Sequence, residues 1–546
     1  MLLGRRASLV VEPEASFDAL EAWFEERRNC QNWDGYDGWM RAHRADDAEL
    51  ARQLEEAATW DDAPLLSLVC PTFNTPEPYL RTMVGSVLAQ TYARFELVVV
   101  DASEDDRVRR ALAGCDDPRV RVVPVENAGI AGNTNRGIAE ATGDYVGFLD
   151  HDDFLEPDCL FRYAEAVRAH PGCDLLFCNE DMWEDDAAGA PDALAGGPGR
   201  YFGPKFKAGW DLARLLDGNV VCHMLMVSRA AIEASERTPD ELSGAQDYDL
   251  TLKAYEHGGG VAFVPRMLYH WRSHEHSSAT NMGDKPYLLE AGRRAVAGFL
   301  ARRGVACEVG PGTYDLTYRT RFDVERELER VAVIRASHED GDGRTWVERV
   351  NDAVARASRP YVVVLDADAG EPSRDLLRVL LGYLQLPEFG VAAPVVLEAD
   401  GLVSSCGLSL AADGSRVRMS RGLAPADTGY MQFLQCAHVA SAVPGTCLAF
   451  RREDFVAAGG LDARFSTEVA VVDLCLRLRG RGMATVVEPY EGIVHVPRVG
   501  LGQARATARD EALLAELHPE IAWGDPCLDP ALAREGAYYQ LPEMSS

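Results

Sequence analysis

Three carboxylates fall within four residues, at Asp150, Asp152 and Asp153, directly after the apolar run Tyr145 to Leu149 in "YVGFLDHDDFLEPDCL" (145–160). Like charges this close repel and raise one another's pKa unless something positive sits among them. A divalent metal ion is the group that fits. Carboxylates fixed at a strand end, with water and phosphate oxygens completing the shell, hold Mg²⁺ or Mn²⁺ on a diphosphate. The same ion neutralises a leaving diphosphate. Asp-x-Asp alone is a weak signal, since the chain also has it at 247/249, 340/342 and 366/368. Placement at a strand end is what singles out the first.

The flanking elements supply that placement. "LLSLVCP" (65–71), "FELVVVD" (95–101), "RVRVVPV" (119–125), "YVGFLD" (145–150) and "CDLLFCNED" (173–181) read as strands. Between them, Leu80, Val84, Val87 and Leu88 fall on one helical face. "NTNRGIAEAT" (133–142) and the proline-led "PDCLFRYAEAVRAH" (157–170) also read as helices. Such alternation predicts an open, mostly parallel sheet covered by helices, with ligands at the carboxyl ends of the strands. Asp101, Asp150 and Asn179–Asp181 lie at such ends. Further on, 185–204 reads as a flexible Gly/Pro/Ala loop and 244–259 as a helix with Asp247 and Asp249 in its first turn. "VAFVPRMLYHWRSHEHSSAT" (261–280) reads as a strand running into three histidines, and 281–300 as helical.

The totals bound the class. At 546 residues the chain is too long for one core, and about 150 residues per domain suggests about three units. A formal charge of −31 argues against nucleic acid or anionic lipid as the main ligand. The 13 cysteines lie mostly in apolar stretches without zinc spacing, as free thiols in a reducing cytosol would. The N-terminus has too short an apolar stretch for a signal peptide, and no run approaches 18 apolar residues. The expectation is a cytoplasmic protein without a membrane span, with peripheral contact at the inner face of the cell membrane left open.

A second pass of similar texture begins near Val331. "RPYVVVLDADAGEPSRDLLRVLLGYL" (359–384) repeats the strand, acidic tip and helix of 145–170, and "VPGTCLAFRREDF" with "VVDLCLRLRGRGMATVVEPYEGIVHV" echoes 221–232 with 247–271. This is an internal duplication. The second copy is short at its front, so strands matching 65–71 and 95–101 are expected to be absent.

Residues 64–280 resemble the inverting glycosyltransferases of family 2, which have the GT-A fold. The resemblance is carried by "SLVCPTFNTPEPYLRTMVGSVLAQTYARFELVVVDAS", "ENAGIAGNTNRGIAEATGDYVGFLDHDD", "GAQDYDLTLK" and "LYHWRSHEHSSA". The whole chain resembles a tandem two-domain form found in synthesis of O-antigens and other surface polysaccharides, down to the tail "DPCLDPALAREGAYYQLP". The resemblance implies a catalytic α/β GT-A domain, Rossmann-like in its nucleotide-binding sheet, followed by a truncated, degenerate GT-A-like domain. The boundaries are an N-terminal helical extension 1–63, a catalytic domain 64–280, a helical linker 281–321, a non-catalytic second domain 322–500 and a tail 501–546. It also implies a nucleotide-sugar donor, with UDP the default, a glycan or lipid-linked acceptor, Mn²⁺ or Mg²⁺, and room for a homodimer.

Residue by residue, the family pattern has Thr72, Asn74 and Asp101 contact the base and ribose. Asn127 and Asn135 belong to the segment that closes over the nucleotide. Asp150 and Asp152 form the metal motif, with Asp152 preferred as direct ligand, and His270 is a further metal or phosphate contact. Asp247 is the general base on the acceptor hydroxyl, one carboxylate being enough for a single displacement. Glu180, Asp181 and His223 border the acceptor side. Structural alternatives stand beside these roles: Asp101 as a helix cap, Asp249 as a helix salt bridge, His270 as a packed histidine, Tyr269 and Trp271 as core, and His274 and His276 as surface. The sequence departs from the pattern in carrying one acid in "VVDAS" and "CNED" for Ser-Asp-Glu-Asp. In the second copy Val471 stands where Asp247 would, and a valine cannot take a proton. Two other readings remain: a sugar nucleotidyltransferase, which would want a basic phosphate loop in place of "CPTFNTPEPY", and a non-catalytic carbohydrate-binding scaffold.

Overall fold

The computed structural model describes Trp33, residues 35–185, 199–274, 286–337, 343–411, 416–496 and 507–532, and Leu541. The pairs 340/342 and His276, with most of 1–34 and of the tail, lie outside the described residues. Nine strands build the first sheet: β1 (Leu66–Thr72), β2 (Phe95–Asp101), β3 (Val120–Pro124), β4 (Tyr145–Phe148), β5 (Phe154–Leu155), β6 (Leu175–Asp185), β7 (Gly199–Lys205), β8 (Met226–Ser228) and β9 (Val261–Ser273). Their order is β3-β2-β1-β4-β8-β6-β9-β5, with β7 on β6. β3, β2, β1 and β4 are parallel, β8 runs against both β4 and β6, and β9 returns parallel to β6. The strands β1, β4 and β8 are buried at nearly every position, as strands covered on both faces are. The helix Gly129–Glu140 sits directly on β1 and β2, and a Cβ at Gly137 would strike Val69 and Val100. Two departures from expectation follow from pairing that sequence texture does not reveal. Part of the expected loop 185–204 is the strand β7, paired with β6. β4 ends at Phe148, leaving Leu149 and Asp150 in the turn beyond it.

A hairpin, β10 (Cys307–Pro311) and β11 (Tyr318–Phe322), follows the helix Pro286–Arg302. The second half contains β12 (Val331–Ala336), β13 (Tyr361–Asp366), β14 (Phe389–Leu397), β15 (Val403–Ser405), β16 (Leu408–Leu410), β17 (Arg416–Arg418), β18 (His438–Ala440), β19 (Cys447–Arg451) and β20 (Ala484–Val494). Its main sheet runs β12-β13-β19-β14-β20-β18. The series β13–β19–β14–β20 is antiparallel, antiparallel, parallel, the same as β4–β8–β6–β9. The duplication read from the sequence is therefore a duplication of topology. One expectation needs correction: β12 runs parallel to β13 in the place β1 takes beside β4. Only the strands outside it have no counterpart among the described residues.

The two halves share their cores. One cluster joins Phe154, Trp183 and Phe206 to Trp346, Val391 and Tyr430. Another joins Leu175, Leu216 and Tyr248 to Val363, Leu380 and Val486. The twelve described cysteines are free. Among the described residues no helix is long and apolar enough to cross a membrane.

In an exposed helix Gly→Ala stabilises by about 1 kcal/mol. At Gly382, in the helix Arg374–Tyr383, the new Cβ would overlap the Phe322 side chain of the hairpin. Gly382→Ala is therefore expected to destabilise the protein, by about 1–3 kcal/mol, in urea unfolding. A gain in stability would show that the hairpin does not pack there.

Candidate active site

The carboxyl ends of β1 and β2 lie side by side, Thr72 opposite Asp101. Thr72 is buried and donates to Val100 O at 3.3 Å, and Asp101 Oδ1 accepts from Ser103 N at 3.0 Å. Asn74 (φ 53°) locks the two strand ends together: its N donates to Ser103 Oγ at 3.1 Å and its side chain exchanges hydrogen bonds with Glu104. Asn127 Oδ1 accepts from Gly129 N and Asn133 Nδ2, clasping the start of its helix. Asn135 Nδ2 donates to Thr238 O at 2.9 Å, tying that helix to the chain before Asp247.

The acidic turn beyond β4 is held from β9. Asp153 is buried and accepts from Tyr269 Oη at 2.6 Å and from Arg272 N at 2.8 Å. Tyr269 Oη also accepts from Asp150 N at 3.3 Å, and Arg272 Nε donates to Asp152 O at 2.9 Å. His274 Nε2 lies 2.7 Å from Asp152 Oδ2. His223 stacks on Tyr269, with ring centroids 4.6 Å apart, and its Nε2 lies 3.9 Å from Asp150 Oδ2. Asp150, Asp153 and His223 each offer one atom within 4.8 Å of the others.

The electrostatics match the crowding. Asp150 is pushed up to about 7, first by its depth in the protein and then by Asp152 and Asp247. Since 48 % of its side chain is open, water screens part of that push. Burial, then Asp152 and Asp150, raise Asp153 as well. Asp152 is lowered: burial works against its charge, but the bond to His274 and the nearness of His151 outweigh it. Burial drives His223 down to about 4, so its imidazole is neutral and keeps a lone pair. The nearby lysines and arginine are committed elsewhere, Lys205 and Lys207 to Glu180 and Arg272 to Asp185 and Asp152 O. Carboxylates short of a counter-charge beside a neutral imidazole are a fitting donor set for a divalent cation.

Asp247 occupies the first turn of the helix Gln246–His257, half-buried, and accepts from Asn219 Nδ2 at 2.7 Å. Burial raises it to about 6 against the hydrogen bonds that favour its anion. Asp249 is structural, bonded to Lys253 Nζ at 2.6 Å and Thr238 Oγ1 at 2.9 Å.

Three expectations are corrected. His270 does not face the acidic turn. It is fully buried, with Nδ1 2.6 Å from Asp181 Oδ1 and Nε2 3.0 Å from Glu156 Oε1, so both ring nitrogens are taken. Burial would lower its pKa, yet Asp181 and Glu156 raise it to about 9. Glu180 and Asp181 do not border an open acceptor side, because both lie buried on β6. Glu180 meets Lys205, Lys207 and His223 N, and Asp181 meets His270 and Tyr36 Oη. His274, expected at the surface, contacts Asp152 instead. Asn219 and Lys207 carried no signal in the sequence, since nothing near "DGNVV" or "PKFK" marks them.

Residues 67–234 match the family described as Glycosyl transferase family 2. An uncharacterized protein, y4gI, of Sinorhizobium fredii is 27% identical over 91% of this chain and 60% of its own. The O-antigen biosynthesis protein RfbC of Myxococcus xanthus is 28% identical over 84% of this chain and 39% of its own. The chain thus spans 60% and 39% of those two relatives. A chondroitin synthase of Escherichia coli is 28% identical over 37% of this chain and 28% of its own. The crystal structure of S. aureus TarS 1-349 in complex with UDP-GlcNAc is 19% identical over 43% of this chain and 66% of that one, with a TM-score of 0.34. Over residues 67–234, where the acidic turn and the strand ends around it lie, this chain carries a glycosyl transferase family 2 domain.

Proposed function

We propose that the first half transfers a sugar, with inversion, from a nucleotide-sugar, by default a UDP-sugar, to a hydroxyl of a glycan or lipid-linked acceptor in surface polysaccharide synthesis. The observation that carries this reading is Asp247: a half-buried carboxylate raised to about 6, oriented by Asn219, close enough to Asp150 to raise its pKa. Relatives named for O-antigen biosynthesis and chondroitin synthesis support the acceptor class.

Thr72 and Asp101, at the ends of β1 and β2, would line the nucleoside. Asn74, Asn127 and Asn135 shape the loops beside it. Mn²⁺ or Mg²⁺ would be held by Asp150, Asp152 and His223, with His223 in the role first given to His270, and when bound would neutralise the diphosphate. Asp153, both of whose oxygens are engaged by Tyr269 and Arg272, orients the turn. Asp247 takes the proton of the acceptor hydroxyl as that oxygen attacks the anomeric carbon, and a pKa near neutrality suits a base. Thr446 takes the place of His223 in the second half by strand register, and Val471 that of Asp247. These replacements support a second half that transfers nothing.

Calorimetry of UDP with and without Mn²⁺ should give metal-dependent binding that Asp150→Ala abolishes. Binding indifferent to the metal would sink the cation assignment. Asp247→Asn should cut transfer by about 10²–10⁴-fold with nucleotide binding intact. A scaffold would have no transfer to lose. Because Asp247 must be ionised to act, kcat/KM should fall as pH drops through about 6. A wild-type profile flat to pH 4.5 would rule Asp247 out as the base.

A further inference from the structure

The segment 205–223 carries Asn219 and His223, and the helix at its centre is held largely by the second half. At its centre is the helix Leu212–Asp217, six residues long and buried at every one. A helix that short does not hold its shape in water alone. Asp211, at its start, accepts from Arg214 N at 2.8 Å and from Val439 N of the second half at 2.9 Å. Asp217, at its end, accepts from Ala437 N at 2.6 Å and from Tyr490 Oη. Arg214 donates to Met431 O at 3.2 Å and to Gln432 Oε1 at 2.7 Å. Met431 (φ 48°) and Gln432 (φ 64°) are both in the left-handed region, a conformation that persists only where the surroundings impose it.

The upstream flank is gripped from the same side, and the downstream flank from within the first half. Tyr430 Oη donates to Phe206 O. Asn179 receives Lys207 N at 2.8 Å and donates to Asp529 Oδ2 of the C-terminal segment at 2.6 Å. Two residues beyond the helix, Asn219 Oδ1 accepts from Cys222 N at 3.2 Å while its Nδ2 reaches Asp247. Cys222 is itself left-handed (φ 41°), and His223 N donates to Glu180 at 3.0 Å.

We propose that the second half is a brace for the site of the first: by clamping the helix Leu212–Asp217 it positions Asn219 against Asp247 and His223 against Asp150. This rests on the proposed transfer reaction for its catalytic consequence, but the clamp itself is a matter of structure. Tyr430, Tyr490 and Asp529 are positioning residues in this sense and touch no substrate. The same arrangement makes the halves inseparable, so residues 1–321 alone would lack the partners of Asp211, Arg214 and Asp217.

The test is the full chain carrying Tyr430→Phe and Tyr490→Phe in the second half and Asp529→Asn in the C-terminal segment. Hydrogen exchange at Cys222 and His223 should accelerate about tenfold or more, with β1 and β2 unchanged. Unaltered exchange at those two amides would overturn the proposal, whether or not the protein proves to be a transferase. In transfer assays kcat should fall while KM for the donor stays within about threefold. The acid limb of kcat/KM should move to higher pH, because the Asn219 bond that favours the Asp247 anion is loosened. Asn219→Ala should give the same displacement, and combining it with the three changes should add little more. An acid limb that stays in place while activity falls would overturn the brace and leave only general destabilisation. If the triple variant does not fold, Tyr490→Phe alone is read in the same way. If the wild type transfers no sugar, the transferase reading fails on its own and exchange still decides the clamp.

Discussion

His270 lies between Asp181 and Glu156 without solvent exposure, and Arg44 Nε donates to the same glutamate at 2.8 Å. Each of these charges would cost several kcal/mol to bury alone. Together, two carboxylates face an imidazolium and a guanidinium, and each charge is hydrogen-bonded. Because β9 enters this arrangement at His270, the residues on either side of it are fixed as well. Tyr269 and Trp271 turn to the opposite face, as strand alternation requires. There Tyr269 holds Asp153 and stacks under His223, while Trp271 meets the edge of His223. The upper surface of the site thus depends on a charge balance struck one layer below it.

The site is built on opposed protonation tendencies. Asp150 and Asp153 are pushed up and Asp152 is held down, and His223 is kept neutral while His270, deeper still, is kept charged. The two histidines differ because carboxylates accept from both nitrogens of one, whereas the other faces an aromatic ring and a carboxyl at 3.9 Å. Environments that drive like groups apart in this way are a mark of acid–base and metal chemistry rather than of packing alone.

The two halves share a topology and differ in the residues at the strand ends. The second half retains the strand pattern, Asp366 and Asp368, and the helix salt bridge, with Asp473 paired to Arg477 as Asp249 is to Lys253. At the start of its helix, Asp510 from the C-terminal helix Ala508–Leu517 receives Ser466 and Thr467. The corresponding approach in the first half leads to Asp247. The fold was conserved between the halves at its hydrogen-bonded ladder and core, while the polar residues at the strand ends diverged.

Legible in the amino-acid sequence alone were the strand and helix alternation, the duplicated unit, the acidic turn and the helix that carries Asp247 in its first turn. Each is written in local periodicity or in a motif a few residues long, where neighbouring side chains act through the chain itself. The sequence misassigned His270 and left Asn219 and Lys207 unmarked, because their roles are set by partners from 27 to more than 100 residues away. A histidine after a strand looks the same in one dimension whether its ring meets a metal or two buried carboxylates. The direction of β9 against β6, and the docking of the second half on the helix Leu212–Asp217, decided between those outcomes. Such long-range contacts form only when distant segments pack, which is why they belong to the tertiary structure alone.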